Sequence, residues 1–143
     1  PAQYKFGALY ASGRGVEKSP AQALRWYLRS AKQGYAPAQH EVAGLYGSGQ
    51  GVKQDLAEAA RWYRRAAQQG HVPAQYSLGL MYYNGQGVRQ DNVQAHLWFS
   101  LAAEGGEMEA VSQRDVVTKL MSPEDIAKAE QLASKWRAAR PAP

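Results

Sequence analysis

The sequence predicts an all-α protein, a solenoid built from antiparallel helix pairs, and three observations carry that expectation. The chain returns to itself every 36 positions, its apolar residues fall at helical spacing, and capping residues stand at the helix ends this implies. Ala2, Ala38, Ala74 and Ala110 keep the step, as do Tyr10, Tyr46 and Tyr82, then Gly13, Gly49 and Gly85, and Trp26, Trp62 and Trp98. Three repeats follow, 2–37, 38–73 and 74–109, closed by a pair of capping helices over 110–140, so that 1–143 reads as a single repeat domain.

In the first half of each repeat, Phe6, Leu9 and Tyr10 recur as Val42, Leu45 and Tyr46 and as Leu78, Met81 and Tyr82, the i, i+3, i+4 stripe of an amphipathic helix. The loop that follows, SGRGV, GSGQGV or NGQGV, has glycines that accept positive φ, and its Val16, Val52 or Val88 is expected to tuck against the helix pair. The second helix carries Ala23, Trp26, Tyr27, Ser30 and Ala31 at i, i+3, i+4, i+7 and i+8. The stripe repeats as Ala59, Trp62, Tyr63, Ala66, Ala67 and as Ala95, Trp98, Phe99, Ala102, Ala103. Ser19 with Gln22, Asp55 with Glu58 and Asp91 with Gln94 have the spacing of a capping box at its start. Gly34, Gly70 and Gly106 suit a left-handed cap at its end, and Pro37 and Pro73 fit the first turn of the next helix. After residue 109 a helix is expected over 110–121 and another from Ser122 to about Ala139, with Ile126, Ala129, Leu132, Ala133 and Trp136 on one face.

Composition narrows the function classes. A chain of 143 residues that is 45% apolar and 20% charged has the balance of a globular domain, and no apolar run approaches the roughly 20 residues that span a bilayer, so membrane insertion is not expected. Cysteine is absent, which removes disulfides and thiolate chemistry. The sequence opens at Pro1 with no signal segment and reads as a processed chain or an excised piece. Residues 1–73 hold ten basic and four acidic side chains, 74–143 seven and eight, and the net charge is +5. So modest an excess does not specify nucleic acid.

Leu78-Gly79 to Tyr82 followed by Ala95 to Phe99, within AQYSLGLMYYNGQGVRQDNVQAHLWFSLAAEGG, resembles the Sel-one-like repeat (SLR) family, a relative of the tetratricopeptide repeat. The second repeat departs at Val42-Ala43, where Ala still permits close packing. The resemblance implies a right-handed superhelix with the first helices on its concave face. It also implies a noncatalytic scaffold for proteins or peptides and a bacterial setting, periplasmic or secreted, in envelope signalling or host contact.

No cofactor, metal or catalytic set is expected. His40, His71 and His96 do not share the i, i+4 spacing of a helical metal pair, no Ser, His and acid set is specified, and the Gly-x-Gly loops join helix to helix rather than strand to helix. Trp26, Trp62 and Trp98 read as core rather than as a stacking ladder. If the arrangement is tetratricopeptide-like, the concave face takes Tyr4, Ala8, Ala11 and Ser12, then His40, Gly44, Gly47 and Ser48, then Tyr76, Leu80, Tyr83 and Asn84, with Ser112, Val116 and Lys119 from the cap. Small side chains in repeats one and two beside tyrosines in repeat three predict a groove for an extended peptide or a protein loop, with polysaccharide or cell-wall glycan as the alternative ligand. Arg25, Arg29, Lys32, Arg61, Arg64 and Arg65 make a basic band on the opposite side. Repeat one keeps the internal apolar pattern with Phe6, Leu9, Trp26 and Tyr27, which predicts further repeats or a second subunit against that edge.

Overall fold

A computed structural model describes residues 1–140, and the elements among them are all helices: α1 (Ala2–Ser12), α2 (Pro20–Lys32), α3 (Ala36–Ser48), α4 (Leu56–Gln68), α5 (Val72–Asn84), α6 (Asn92–Glu104), α7 (Met108–Thr118) and α8 (Pro123–Ala139). Helices α1 to α7 each pack on the next in order, so α1, α3, α5 and α7 form one layer and α2, α4 and α6 the other. This is the all-α solenoid expected from the repeat.

Local chemistry sets the helix ends. Ser19 Oγ accepts from the Gln22 amide at 3.2 Å, Asp55 from Glu58 at 3.1 Å and Asp91 from Val93 and Gln94 at 3.0 and 3.2 Å, which satisfies amides with no partner inside the helix. Beyond α2, Gly34 takes φ 94° while its amide reaches the Ala31 carbonyl and the Tyr35 amide reaches Ser30, a Schellman pair that recurs at Gly70 and Gly106. The first capping helix begins two residues earlier than the sequence suggests, because the Glu107 carboxylate caps it through the Glu109 amide, and it ends at Thr118.

Two devices lock each repeat onto the one before it. Gln39 Nε2 donates to the Ala31 carbonyl at 3.1 Å, and 36 residues on Gln75 Nε2 donates to Ala67 at 3.2 Å, so a buried glutamine ties each first helix to the last turn of the preceding second helix. The loop supplies the other lock. A Cβ on Gly51 would lie 2.5 Å from the backbone of Pro20 and Ala21, and one on Gly87 would lie 2.1 Å from the Leu56 carbonyl oxygen, so only glycine lets the loop close on the start of that helix. Val52 and Val88 then pack into the core, as expected. Val16 does not: it is 37% exposed, and among the described residues no helix stands against its loop as α2 stands against that of Val52.

Among the tryptophans, Trp62 and Trp98 are core residues at 7% and 4% exposure. Trp26 is only half-buried, with its ring on Phe6 at 5.0 Å, since among the described residues the helix that covers Trp62 has no counterpart at that edge.

The capping pair departs from a simple hairpin. Helix α8 packs on α6 rather than pairing with α7 as the second helix of each repeat pairs with the first. The reason is written in α6. Arg61 and Arg65 of α4 become Leu97 and Leu101 one repeat later, at 6% and 4% exposure, so α6 is apolar on its outer side too and must be covered. Ala129 and Ala133 allow the close approach, Trp136 meets Trp98 edge-on at 6.4 Å, and Arg137 pairs with Glu104.

Candidate functional site

The site builds up on the face of α1, α3, α5 and α7. Gly7 and Gly79 lie directly over aromatic rings of the second helices: a Cβ there would stand 2.6 Å from the Tyr27 ring and 2.7 Å from Phe99. A small residue on the first helix therefore lets the aromatic beneath it reach toward the outer face. Tyr27 meets Tyr4 at 5.4 Å between centroids, and Tyr4 meets Tyr35 edge-on at 5.3 Å. In repeat two, His40 sits edge-on to Tyr63 at 5.5 Å and 5.3 Å from His71, the residue that precedes α5. In repeat three Tyr76 lies 5.8 Å from Phe99. The result is a row of rings that crosses all three repeats.

Acidic side chains thread this row. Glu41 stands 3.8 Å from His40 Nδ1, and its charge raises the pKa of three tyrosines, second to burial at Tyr4 and at Tyr27, which is pushed up to about 12, and behind burial at Tyr63, where a hydrogen bond with Ser77 opposes the rise. Tyr76 is likewise raised, by burial first and then by Glu109. His71 is held below its usual value by burial first and then by the neighbouring His40, so its own imidazole is neutral near pH 7. Beside these rings a pocket of about 300 Å³ opens between repeats two and three, with Ala59 and Met81 in its floor and Gly47, Gln54, Tyr63, Ser77, Leu80 and Gln86 around it.

The structure brings together some of the sequence-predicted residues and sets others apart. Tyr4, Ala11, Tyr76, Leu80 and Tyr83 are half-buried and pack against the core, so they form the floor of this face rather than free-standing side chains. His40 joins the ring cluster, and Ala8 and Gly44 lie half-covered between the rows. Ser12, Ser48 and Asn84 are exposed at the last turn of their helices, where the Ser12 and Ser48 hydroxyls bond back to Leu9 and Gly44. Ser112 and Val116 stand exposed on α7, and Lys119 is exposed just past its end.

Sequence reasoning missed Glu41, Tyr27, Tyr35, Tyr63 and His71. One signal marks Tyr27 and Tyr63: the small residues at 7, 43 and 79 step with the aromatics at 27, 63 and 99, a pairing that lets each ring pass toward the outer face. The His40 and His71 contact has no such signal, since it joins two repeats. Among the described residues no group of three or more His, Cys, Asp or Glu is placed to hold a metal ion.

Stacked helix pairs with a ring-lined face define a repeat protein of the α-solenoid class. The Sel1 repeat matches residues 1–35, 36–71 and 72–107, and the chain belongs to that family. Two solved structures are similar. One is c5321, a protective antigen present in uropathogenic Escherichia coli strains and displaying an SLR fold, with 42% identity and a TM-score of 0.78 over 79% of this chain and 24% of that one. The other is a Sel1 repeat protein from Oxalobacter formigenes, with 37% identity and a TM-score of 0.79 over 80% of this chain and 47% of that one. The chain thus spans less than half the length of either. No curated protein matches it. Sel1 repeats are in general scaffolds for protein–protein interaction.

Proposed function

We propose that this protein is a noncatalytic scaffold that holds an extended peptide or a protein loop along the face of α1, α3, α5 and α7. The observation that carries the reading is the placement of Glu41 among Tyr4, Tyr27 and Tyr63, with Glu109 beside Tyr76. Aromatic rings around a carboxylate suit an arginine or lysine side chain, which gains an ion pair and lays its methylene stem against the ring edges. Small residues at Ala8 and Gly44 leave room for the partner's backbone between such anchors. A row of rings spaced over three repeats fits a ligand with period, which an extended chain supplies.

A glycan is the second reading, and the packing favours it less. Sugar stacking needs open ring faces, whereas Tyr4 is flanked by Tyr27 and Tyr35, His40 by Tyr63 and His71, and Tyr76 by Phe99. A catalytic reading finds no support in the hydroxyl and imidazole that do meet: Ser100 Oγ lies 3.4 Å from His96 Nδ1, and both are buried, at 8% and 6% exposure.

The test is titration of a partner captured from native extract. Glu41→Gln and the double variant Tyr76→Ala with Tyr83→Ala are each expected to weaken binding by about tenfold or more, with the melting temperature checked in parallel. Unchanged affinity in both would remove the groove as the principal site. Binding on a glycan array that these variants abolish would favour the second reading.

A further inference from the structure

One position of the repeat changes size along the chain: it is Ala11, then Gly47, then Tyr83. Ala11 and Tyr83 are half-buried against the core, so at those positions the chain covers its own interior. At Gly47 it leaves a gap. The pocket of about 300 Å³ between repeats two and three opens there, with the buried Ala59 and Met81 in its floor. A Cβ on Gly47 would stand 3.7 Å from the Cβ of Ala59, an ordinary contact, so crowding does not demand the glycine. The aromatic series shows the same gap: Tyr27 and Phe99 are buried, while Tyr63, on the pocket wall, is only half-buried.

The repeat itself shows what fits such a space. Its volume is at the small end of ligand pockets, enough for one large side chain, and one repeat later a tyrosine stands at the position of Gly47. Polar groups suit the same occupant. Tyr63 and Ser77 bring hydroxyls to the lining, and Gln54 Nε2 donates to the Gly47 carbonyl at 2.8 Å, which leaves its Oε1 to accept from a phenol. Charge sets what lies beside it. Glu41 is the counterpart of Ser77 one repeat earlier, so the carboxylate and the pocket are consecutive stations on one face. A Cβ on Gly44 would lie 3.8 Å from the Tyr63 hydroxyl, so this glycine keeps the way past Tyr63 clear. The stations lie roughly 10 Å apart, the spacing of packed helices. A polyproline II chain turns the same side to a surface every three residues, about 9 Å.

We propose that the pocket at Gly47 sets the specificity of the ring-lined face: it takes one aromatic side chain, tyrosine before phenylalanine, from a partner's extended segment, three residues from the arginine or lysine held at Glu41. The proposal rests on the reading of that face as peptide-binding. The aromatic side chain supplies the buried anchor and the cation fixes the register.

The test is selection of a phage library of twelve-residue peptides on the whole protein. Peptides with a basic and an aromatic residue three apart are expected. On Gly47→Tyr, which copies the residue of repeat three into the gap, the aromatic preference should fall about tenfold while the basic one stays, and on Glu41→Gln the reverse should hold. Gly47→Leu fills the same space and serves as a second variant, with circular dichroism and melting temperature checked for each. An unchanged aromatic preference on both filled variants, with Glu41 still required, would overturn the pocket and leave the face standing. Selected peptides indifferent to Glu41 and to Gly47 alike would sink the face as well. If no peptide is enriched, the face reading falls, and N-acetyltyrosinamide is titrated into protein carrying 13C-methyl methionine. A shift confined to Met81 would then assign the pocket to a free aromatic compound, and no shift would remove it as a site; either result overturns the proposal.

Discussion

Trp62→Ala is expected to destabilise the protein by about 3–5 kcal/mol, read as a fall in melting temperature of roughly 10–20 °C. Trp62 is 7% exposed and packs with Ala23, Leu24, Tyr27 and Ala31 of α2 and with Ala38, Val42 and Ala43 of α3, two helices from two repeats. Its removal therefore opens a cavity at a junction rather than inside one hairpin. In a linear array, where each repeat touches only its neighbours, such a loss strikes the interface term on which cooperative unfolding depends. Trp26→Ala serves as the control. Its indole is half-exposed at the free edge, and the same truncation there should cost about 2 kcal/mol or less. Equal losses at the two positions would contradict the assignment of Trp62 to the junction.

Leu101→Arg is expected to cost about 3–5 kcal/mol and to release α8. This substitution restores at 101 the residue type found one repeat earlier at Arg65, where the guanidinium lies exposed over Trp62. At 101 the same guanidinium would be held beneath α8, since Leu101 is 4% exposed and α6 is covered by that helix. A charge buried without a partner carries most of its desolvation cost. The relief is for α8 to leave, which exposes Trp136 and breaks the pair between Arg137 and Glu104. Hydrogen exchange should show faster exchange confined to residues 123–139, with α1 to α5 unchanged. Uniform acceleration through the chain would mean that α8 is not a separable cap.

The repeat, the helices and their caps were legible from the sequence because each rests on short-range chemistry. A serine or aspartate three residues from an amide, a proline in a first turn, and an apolar stripe at helical spacing act within one element. The path of α8 was legible in principle, since Leu97 and Leu101 replace arginines, but the eye follows the stripe that repeats and passes over the positions that change. The ring-lined face was legible only in part. Tyr4, His40 and Tyr76 lie on the outer side of first helices and can be placed by periodicity. Tyr27 and Tyr63 belong to the core stripe of second helices, and their approach to the same face depends on how closely the layers meet at Gly7 and its equivalents. The contact between His40 and His71 depends on the angle between repeats, which no local pattern encodes.

Repeats that interlock in one register, each loop closing on the helix before it, underlie the continuous face. Chemical denaturation of three matched variants, Gly15→Ala, Gly51→Ala and Gly87→Ala, tests this most directly. All three glycines share nearly the same left-handed φ, 73°, 75° and 71°, so each alanine carries the same backbone strain of about 1–2 kcal/mol. At Gly15 that should be the whole loss. At Gly51 and Gly87 the new Cβ collides with the backbone of the preceding helix, and about 1–3 kcal/mol more should follow. Three equal losses would show that the loops do not lock the repeats together.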